Sequence, residues 1–164
     1  MGSEVIKIAN CSGYYGDRLS AAKEMVEGGP IDVLTGDYLA ELTMTILFNQ
    51  KLKRGDDKGY VGTFLKQLKD VAKTCKEKEI KIVTNAGGLN PKSMANEIQI
   101  ILSELGLEMQ VAYIDGDDLM PRMSDLQNSG EEFINIDKEI SLKDSGYTTS
   151  VSYTHLRAHE TVAN

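Results

Sequence analysis

Ile80-Lys81-Ile82-Val83-Thr84-Asn85-Ala86-Gly87-Gly88-Leu89-Asn90-Pro91 is the stretch that decides the fold, because a short apolar strand runs directly into a glycine loop. Asn90 is a favoured helix N-cap, and Pro91 suits the first helical position, where no N–H is needed. The stretch therefore predicts a strand, a tight loop and a helix that begins behind a glycine pair. Open α/β folds bind ligands at such junctions, beside the carboxyl ends of their strands.

Two earlier junctions have the same form. The predicted strand Val5 to Ile8 precedes Ala9-Asn10-Cys11-Ser12-Gly13-Tyr14-Tyr15-Gly16-Asp17-Arg18, and the predicted strand Ile31 to Leu34 precedes Thr35-Gly36-Asp37-Tyr38-Leu39-Ala40-Glu41. Short strands rich in Val and Ile that alternate with helices are typical of a parallel sheet with right-handed crossovers. We therefore expect an α/β fold with a Rossmann-like doubly wound, mainly parallel sheet.

The apolar periodicity predicts the remaining elements. The predicted helices are Leu19 to Glu27, Tyr38 to Leu52, Tyr60 to Lys78, Lys92 to Leu105 and Leu119 to Gln127, and the predicted later strands are Met109 to Ile114 and Phe133 to Ile136. The helix from Tyr38 is apolar nearly all round, which predicts burial on most sides. An acidic loop from Asp115 to Asp118 follows the fourth strand.

These three loops resemble those of the acyclic terpene utilisation AtuA family. That family carries an N-x-S-G-[FY]-Y-G-D-R loop, then G-D-Y-L-A-E-L-T, then V-T-N-A-G-G-L-N-P, and all three occur here after strands. The resemblance covers Val5 to Asp118, with a weaker continuation to Tyr147. It implies a role in the breakdown of acyclic terpenoids, or of related branched acids handled as coenzyme A thioesters, and it names a context without naming a reaction.

Composition limits the classes of partner. The chain has 164 residues, a net charge of -7 and a pI near 4.9. Nucleic-acid backbones and anionic membrane surfaces would be repelled, so we expect neither as a partner, and a small-molecule ligand remains open. The family resemblance implies that this ligand is an acid or an acyl-CoA thioester. Because the sequence contains no signal peptide and no membrane-spanning run, we expect a cytoplasmic protein. Homo-oligomerisation of a longer protein stays open, and no dinucleotide or P-loop fingerprint assigns a cofactor.

The last residues do not resemble the rest of the chain. Val151 to Thr161 look like translated read-through of a synthetic sequencing adapter. We therefore expect residues 1–150 to be the N-terminal part of a truncated AtuA-like α/β domain, and residues 151–164 to be a non-native, unstructured tail. His155 and His159 both lie in this tail. Their spacing lacks the H-E-x-x-H order of a zinc site, so we expect no metal site.

Acid and base chemistry in residues 1–150 must use side chains other than histidine, since that range contains none. The ends of parallel strands meet at one edge of a sheet, so polar residues that follow different strands converge there. The candidates for catalysis are Asp17, Asp37 and Glu41, and the candidates for ligand binding are Ser12, Gly13, Tyr14, Gly16, Gly36, Asn85, Gly87, Gly88, Asn90 and Asp115. The loop after the third strand would bind an oxygen of the ligand through its backbone N–H groups.

Each candidate also has a purely structural interpretation. Asp17 and Asp118 could cap helices, and Asp37 could hydrogen-bond its own turn. Glu41 could form an ion pair with Arg18 or Lys7 instead of serving as a general base. Gly13 and Gly16 could serve turn geometry alone.

The tyrosines and cysteines leave further alternatives. Tyr14 could pack over a ligand or cover the sheet edge. Cys75 lies on an apolar stripe, which indicates a core position, and Cys11 lacks the basic partner that a nucleophilic thiol needs. Two functions stay open: an enzyme in which Asp17, Asp37 or Glu41 moves protons, and a non-catalytic metabolite-binding or assembly domain.

Overall fold

A computed structural model describes residues 5–116, 118–135 and 139–145. The chain divides into two compact units, Met1–Asp115 and Gly116–Asn164. None of the helices in the described ranges is both long and apolar enough to cross a bilayer. The tail, with His155 and His159, lies outside the described residues.

The first unit is built on three parallel strands. They are β1 (Ile8–Asn10), β2 (Val33–Gly36) and β3 (Lys81–Thr84), in the order β1-β2-β3. In this register, Ile8 lies opposite Val33, and Val33 lies opposite Lys81. The predicted α/β class and the parallel pairing are confirmed.

Four helices of the first unit were predicted from the sequence, and all four are present. They are α1 (Ala21–Gly28), α2 (Glu41–Arg54), α3 (Gly62–Glu77) and α4 (Pro91–Glu104). Helix α1 packs against α3, α3 packs against α4, and α1 also contacts β1 and β2. The core between them contains Cys11, Ala21, Ala22, Val26, Leu34, Val71, Cys75 and Ile80. The predicted core position of Cys75 is therefore confirmed.

The two faces of the sheet differ in burial. Successive side chains of a strand point to opposite faces, and Leu34 of β2 is buried against the helices. On the other face Ile8 and Val83 are 65% and 60% exposed. Within the described residues, then, helices cover one face of the sheet, whereas a doubly wound fold has helices on both.

The predicted fourth strand, Met109 to Ile114, is wrong. This segment has no regular secondary structure, and the side chain of Ile114 is 94% exposed. Its Val, Tyr and Ile residues favour an extended backbone, but a strand exists only where a neighbouring edge accepts its hydrogen bonds. The apolar composition of the segment does not show whether such an edge lies beside it in the folded chain.

The predicted all-round burial of the second helix is also wrong. Leu42 is 72% exposed and Leu52 is exposed as well, while the buried residues of α2 form one stripe of Thr43, Met44 and Leu47. The helix is covered on this stripe only. Apolar residues outside the stripe remain in contact with solvent, as single apolar side chains on protein surfaces often do.

The second unit contains short elements. A 3-10 helix (Met120–Arg122) leads into α5 (Met123–Asn128), and α6 is Leu142–Ser145. The predicted helix from Leu119 is therefore confirmed. Asp118 lies before the N-cap residue Leu119, and its Oδ1 accepts a hydrogen bond from the Met120 N–H at 3.1 Å. The predicted strand Phe133 to Ile136 is reduced to one antiparallel bridge between Ile134 and Ser141, and its last residue lies outside the described ranges.

Candidate functional site

The three strands deliver their following loops to the same edge of the sheet. We call residues 11–20 loop 1, residues 37–40 loop 2 and residues 85–90 loop 3, and we call the edge where they meet the rim. The Asp37 N–H donates to the Ser12 carbonyl at 3.0 Å, and the Tyr38 N–H donates to Asn85 Oδ1 at 2.8 Å. The Asn85 Nδ2 group also donates to Asp37 Oδ1. Asp37 of loop 2 is thus in direct contact with Ser12 of loop 1 and with Asn85 of loop 3.

The end of β2 explains how Asp37 comes to lie at the surface of the rim. Gly36 and Tyr38 are buried, whereas Asp37 between them is half-buried. A Cβ on Gly36 would lie 2.6 Å from Cε2 of Tyr38, so only glycine allows the tyrosine ring to fold back against the strand end. The ring occupies the core side, and the carboxylate stays at the rim.

Asp17 organises loop 1. Its Oδ2 accepts the Gly13 N–H at 2.9 Å and its Oδ1 accepts the Arg18 N–H at 2.7 Å. These two backbone hydrogen bonds, followed by the nearby Arg18 charge, lower the pKa of the Asp17 carboxyl. Both carboxylate oxygens therefore already hold the loop, which is a structural role other than the helix cap considered from the sequence, since the N-cap of α1 is Ser20. Gly16 supplies the turn with a φ of +97°.

The aromatic residues of loop 1 point to different surroundings. Tyr14 is 61% exposed. Tyr15 is half-buried, and its hydroxyl accepts a hydrogen bond from Gln50 Nε2 of α2 at 3.4 Å. The buried Ser12 hydroxyl donates to the Tyr14 carbonyl at 3.1 Å. Tyr14 is thus available at the rim surface, whereas Tyr15 ties loop 1 to α2.

The glycine pair of loop 3 is used for packing. A Cβ on Gly87 would lie 2.6 Å from Cβ of Pro91, and one on Gly88 would lie 2.4 Å from Cδ1 of Leu47 and 2.9 Å from the Gly59 carbonyl oxygen. Both glycines are buried. They let loop 3 pack closely against α2 and against the turn that precedes α3.

The backbone N–H groups of loop 3 are largely engaged within the protein. Those of Ala86, Gly88, Leu89 and Asn90 donate to Thr84 Oγ1 and to the carbonyls of Asn85, Gly59 and Gly87. These four groups are therefore not directed at a ligand in this structure.

Asn90 acts as the predicted N-cap of α4. Its Oδ1 accepts the Ser93 N–H at 3.2 Å, and its Nδ2 donates to the carbonyls of Asp56 and Lys58. Its polar atoms join the start of α4 to the preceding turn.

Glu41 and Asp115 lie apart from the contacts that join the loops. Glu41 is the exposed first residue of α2, and Arg18 pairs with Glu24 at 2.8 Å rather than with Glu41. Asp115 is exposed at the end of the first unit. The strand that was expected to bring it to the rim is not formed.

A buried polar cluster beneath the rim was not predicted. The Tyr38 hydroxyl donates to Gln67 Oε1 at 2.5 Å, and the Cys11 thiol lies 3.8 Å from the same hydroxyl. Gln67 Nε2 donates to the Arg18 carbonyl at 3.3 Å. The detectable signal in the sequence was a glutamine on the apolar stripe of α3, between Phe64 and Val71.

Burial controls the chemistry of this cluster. It raises the pKa of the Tyr38 hydroxyl and of the Cys11 thiol, so both groups keep their protons at neutral pH. A nucleophilic thiol needs the opposite, a lowered pKa and access to the substrate. Cys11 therefore functions as a buried hydrogen-bonding group.

Comparison with known proteins gives one result on family. A family model described as "Acyclic terpene utilisation family protein AtuA" matches residues 6–159, a range that contains all three loops. Neither the curated proteins nor the solved structures gave a match.

Proposed function

Because this chain belongs to the acyclic terpene utilisation family AtuA, we propose that it binds an acyclic terpenoid or related branched acid, as the free acid or the coenzyme A thioester, at the rim. The observation that carries this proposal is the direct contact of Asp37 with both Ser12 and Asn85, three residues that come from three separate loops. Convergent polar groups at the carboxyl ends of parallel strands are the usual basis of ligand sites in α/β folds.

Asp37 is the carboxylate best suited to proton transfer. Within the part of the chain that the structure describes, its side chain accepts two hydrogen bonds, from Asn85 Nδ2 and from the Leu39 N–H, and both go to Oδ1. Asp17, in contrast, uses both oxygens to hold loop 1. Asp37 thus combines a fixed orientation with one oxygen that can take or give a proton, as a general acid or base requires.

Charge at the rim favours the neutral carbonyl of a thioester over a free carboxylate beside Asp37, with the phosphates of coenzyme A lying away from the rim. A ligand carboxylate placed beside Asp37 would bring two like charges together, and Asp17 adds a further negative charge in loop 1. A thioester carbonyl is neutral and needs only a hydrogen-bond donor. The Asn85 amide, already at the rim, is one such donor.

Titration calorimetry on the 164-residue protein, followed by product analysis, tests the proposal. The ligands are terpenoid acyl-CoA thioesters and the matching free acids, and the variants are Asp37→Asn and Asp70→Asn, the latter an exposed control on α3. An enzyme predicts product that Asp37→Asn abolishes and Asp70→Asn preserves. The absence of binding to either ligand class would contradict the proposal.

The second candidate is a non-catalytic metabolite-binding or assembly domain. It is favoured by the hydrogen bond from the Leu39 N–H to Asp37 Oδ1 at 3.3 Å, since this contact also fits a carboxylate that only shapes its own turn. This function predicts binding without turnover, with the ligand recovered unchanged from the wild-type protein and from Asp37→Asn alike.

Three further features belong to the same proposal. A Rossmann-like doubly wound architecture stays part of the proposal, and it would require further elements over the face that carries the exposed Ile8 and Val83, because both faces of a parallel sheet are normally covered. The negative net charge supports a small-molecule function without nucleic-acid or membrane partners, and a cytoplasmic location is proposed with it. Homo-oligomerisation would be one means of covering the open face of the sheet.

A further inference from the structure

We propose that Gln67 is a positioning residue, which holds loops 1 and 2 in the arrangement that the rim requires. Gln67 lies on α3, a helix that contributes no residue to the three loops, and its side chain is buried. Its amide has two different ends, an acceptor and a donor. Each end contacts a different loop, so the inference rests on the proposed function of the rim and adds a residue to it.

The acceptor end controls loop 2. Gln67 Oε1 receives the Tyr38 hydroxyl hydrogen at 2.5 Å, and the Tyr38 ring also packs edge-on against Phe64, with ring centroids 6.0 Å apart. The backbone N–H of Tyr38 donates to Asn85 Oδ1. Tyr38 is therefore held at both ends, and Asp37, the preceding residue, is held with it.

The donor end controls loop 1. Gln67 Nε2 donates to the Arg18 carbonyl at 3.3 Å, next to Asp17, whose carboxylate closes the loop onto the Gly13 N–H. Because the Tyr38 hydroxyl hydrogen is directed to Gln67, the Cys11 thiol must donate to the Tyr38 oxygen. One buried amide thereby joins two loops that are adjacent at the rim.

Amide hydrogen exchange by NMR on the ligand-free 164-residue protein tests this role. The variant is Gln67→Met, which keeps the length of the side chain and removes both hydrogen bonds. Loss of one hydrogen bond typically changes an equilibrium about fivefold, so the amides of Gly13 and of residue 38 should exchange at least about fivefold faster relative to the amides of α4. Two controls are Gln99→Met, an exposed glutamine on α4, and Ile98→Ala, a buried residue of the same helix.

Ile98→Ala separates positioning from general destabilisation. It should lower the melting temperature without changing the exchange of the two loop amides relative to the rest of the chain. If Gln67→Met gives the same pattern as Ile98→Ala, the positioning role is wrong.

If Gln67→Met does not fold, Tyr38→Phe replaces it. Tyr38→Phe keeps the ring and the hydrogen bond from Gln67 to Arg18. It should accelerate amide exchange at residue 38 and leave that of Gly13 near the wild-type rate. If the exchange rate at residue 38 does not rise, the positioning role is wrong.

Ligand titration then links the loops to binding. For a thioester that the wild-type protein binds, Gln67→Met should lower the affinity by up to about fivefold at a temperature where the variant is folded, because fewer molecules have the binding-competent loops, whereas Ile98→Ala should leave it unchanged. If the wild type binds no ligand, the proposed function fails while the exchange result still decides the positioning role. Equal affinities of Gln67→Met and the wild type would limit Gln67 to the fold and overturn its role in the site.

Discussion

Replacing Gly88 with alanine is the sharpest test of how loop 3 is built. Gly88 is buried, with a φ of +52°, a conformation that residues with a Cβ rarely adopt. The added Cβ would lie 2.4 Å from Cδ1 of Leu47 and 2.9 Å from the carbonyl oxygen of Gly59. The leucine side chain has room to rotate only by disturbing the buried stripe of α2, and the carbonyl belongs to the backbone of the neighbouring turn.

The expected loss follows from two separate costs. A left-handed backbone at a non-glycine residue costs about 1–2 kcal/mol. Overpacking of a filled site costs about 1–3 kcal/mol more. The free energy of unfolding of Gly88→Ala should therefore be about 2–5 kcal/mol lower than that of the wild type, a large share of the total stability of a typical domain.

Gly106→Ala provides the matched control. Gly106 also has a positive φ, +67°, but its added Cβ would meet no atom within 4 Å. It should lose only the backbone cost of about 1–2 kcal/mol. Urea unfolding followed by circular dichroism measures both variants, and the difference between them isolates the steric cost of about 1–3 kcal/mol. Equal losses for the two variants would refute the close packing of loop 3 against α2.

Three further substitutions test the loops. Asn90→Ala removes the α4 cap and should lower the free energy of unfolding by about 1–2 kcal/mol in urea, whereas the exposed Asn96→Ala should change it by less than about 0.5 kcal/mol. The pKa of Asp17 is lower in the folded state than its ordinary value of 3.8, so its carboxylate stabilises the fold above that value, and this stabilisation is lost as the pH falls through the folded-state pKa. The urea midpoints at pH 6 and pH 3 should therefore differ less in Asp17→Asn than in the wild type. An equal difference in the two proteins would contradict the loop 1 geometry. Asn85→Asp places a second carboxylate against Asp37 and should be about 1–3 kcal/mol less stable than the wild type at pH 7, with the deficit shrinking as the pH falls and the pair takes up a proton; a deficit that does not depend on pH would show that the two side chains do not face each other.

The sequence predicted the elements whose signals are local. Asn90 and Pro91 marked the start of α4, and Gly106 marked its end, because caps depend on the side chain and φ of one or two residues. The segment Met109 to Ile114 has equally clear strand composition but forms no strand. A segment forms a strand only if the folded chain places it beside the edge of a sheet, and residues within the segment do not determine that placement. The same reason explains the exposed Leu42, since the width of a buried stripe depends on the neighbours of the helix.

The sequence predicted where the candidate site lies, but it did not predict which hydrogen bonds and packing contacts form there. Parallel pairing requires that Ser12, Asp37 and Asn85 meet at one edge, and they do. The role of the glycine pair at Gly87 and Gly88 was harder to predict, because a Gly-Gly sequence fits both close ligand approach and close packing. Only the distances to Pro91 and Leu47 distinguish the two.

Asp37 and Tyr38 show why the rim and the core act as one unit. Neighbouring residues at the end of a strand point to opposite sides, so a single dipeptide places a carboxylate at the rim and a phenol in the core. Asn85 contacts both halves, through the Asp37 carboxylate and the Tyr38 N–H. A substitution that moves the Tyr38 ring in the buried polar cluster should therefore also move Asp37, because the two residues are adjacent in the chain. Stability and ligand affinity should consequently be coupled for substitutions at these positions, whereas substitutions on the exposed side of α2 should change neither.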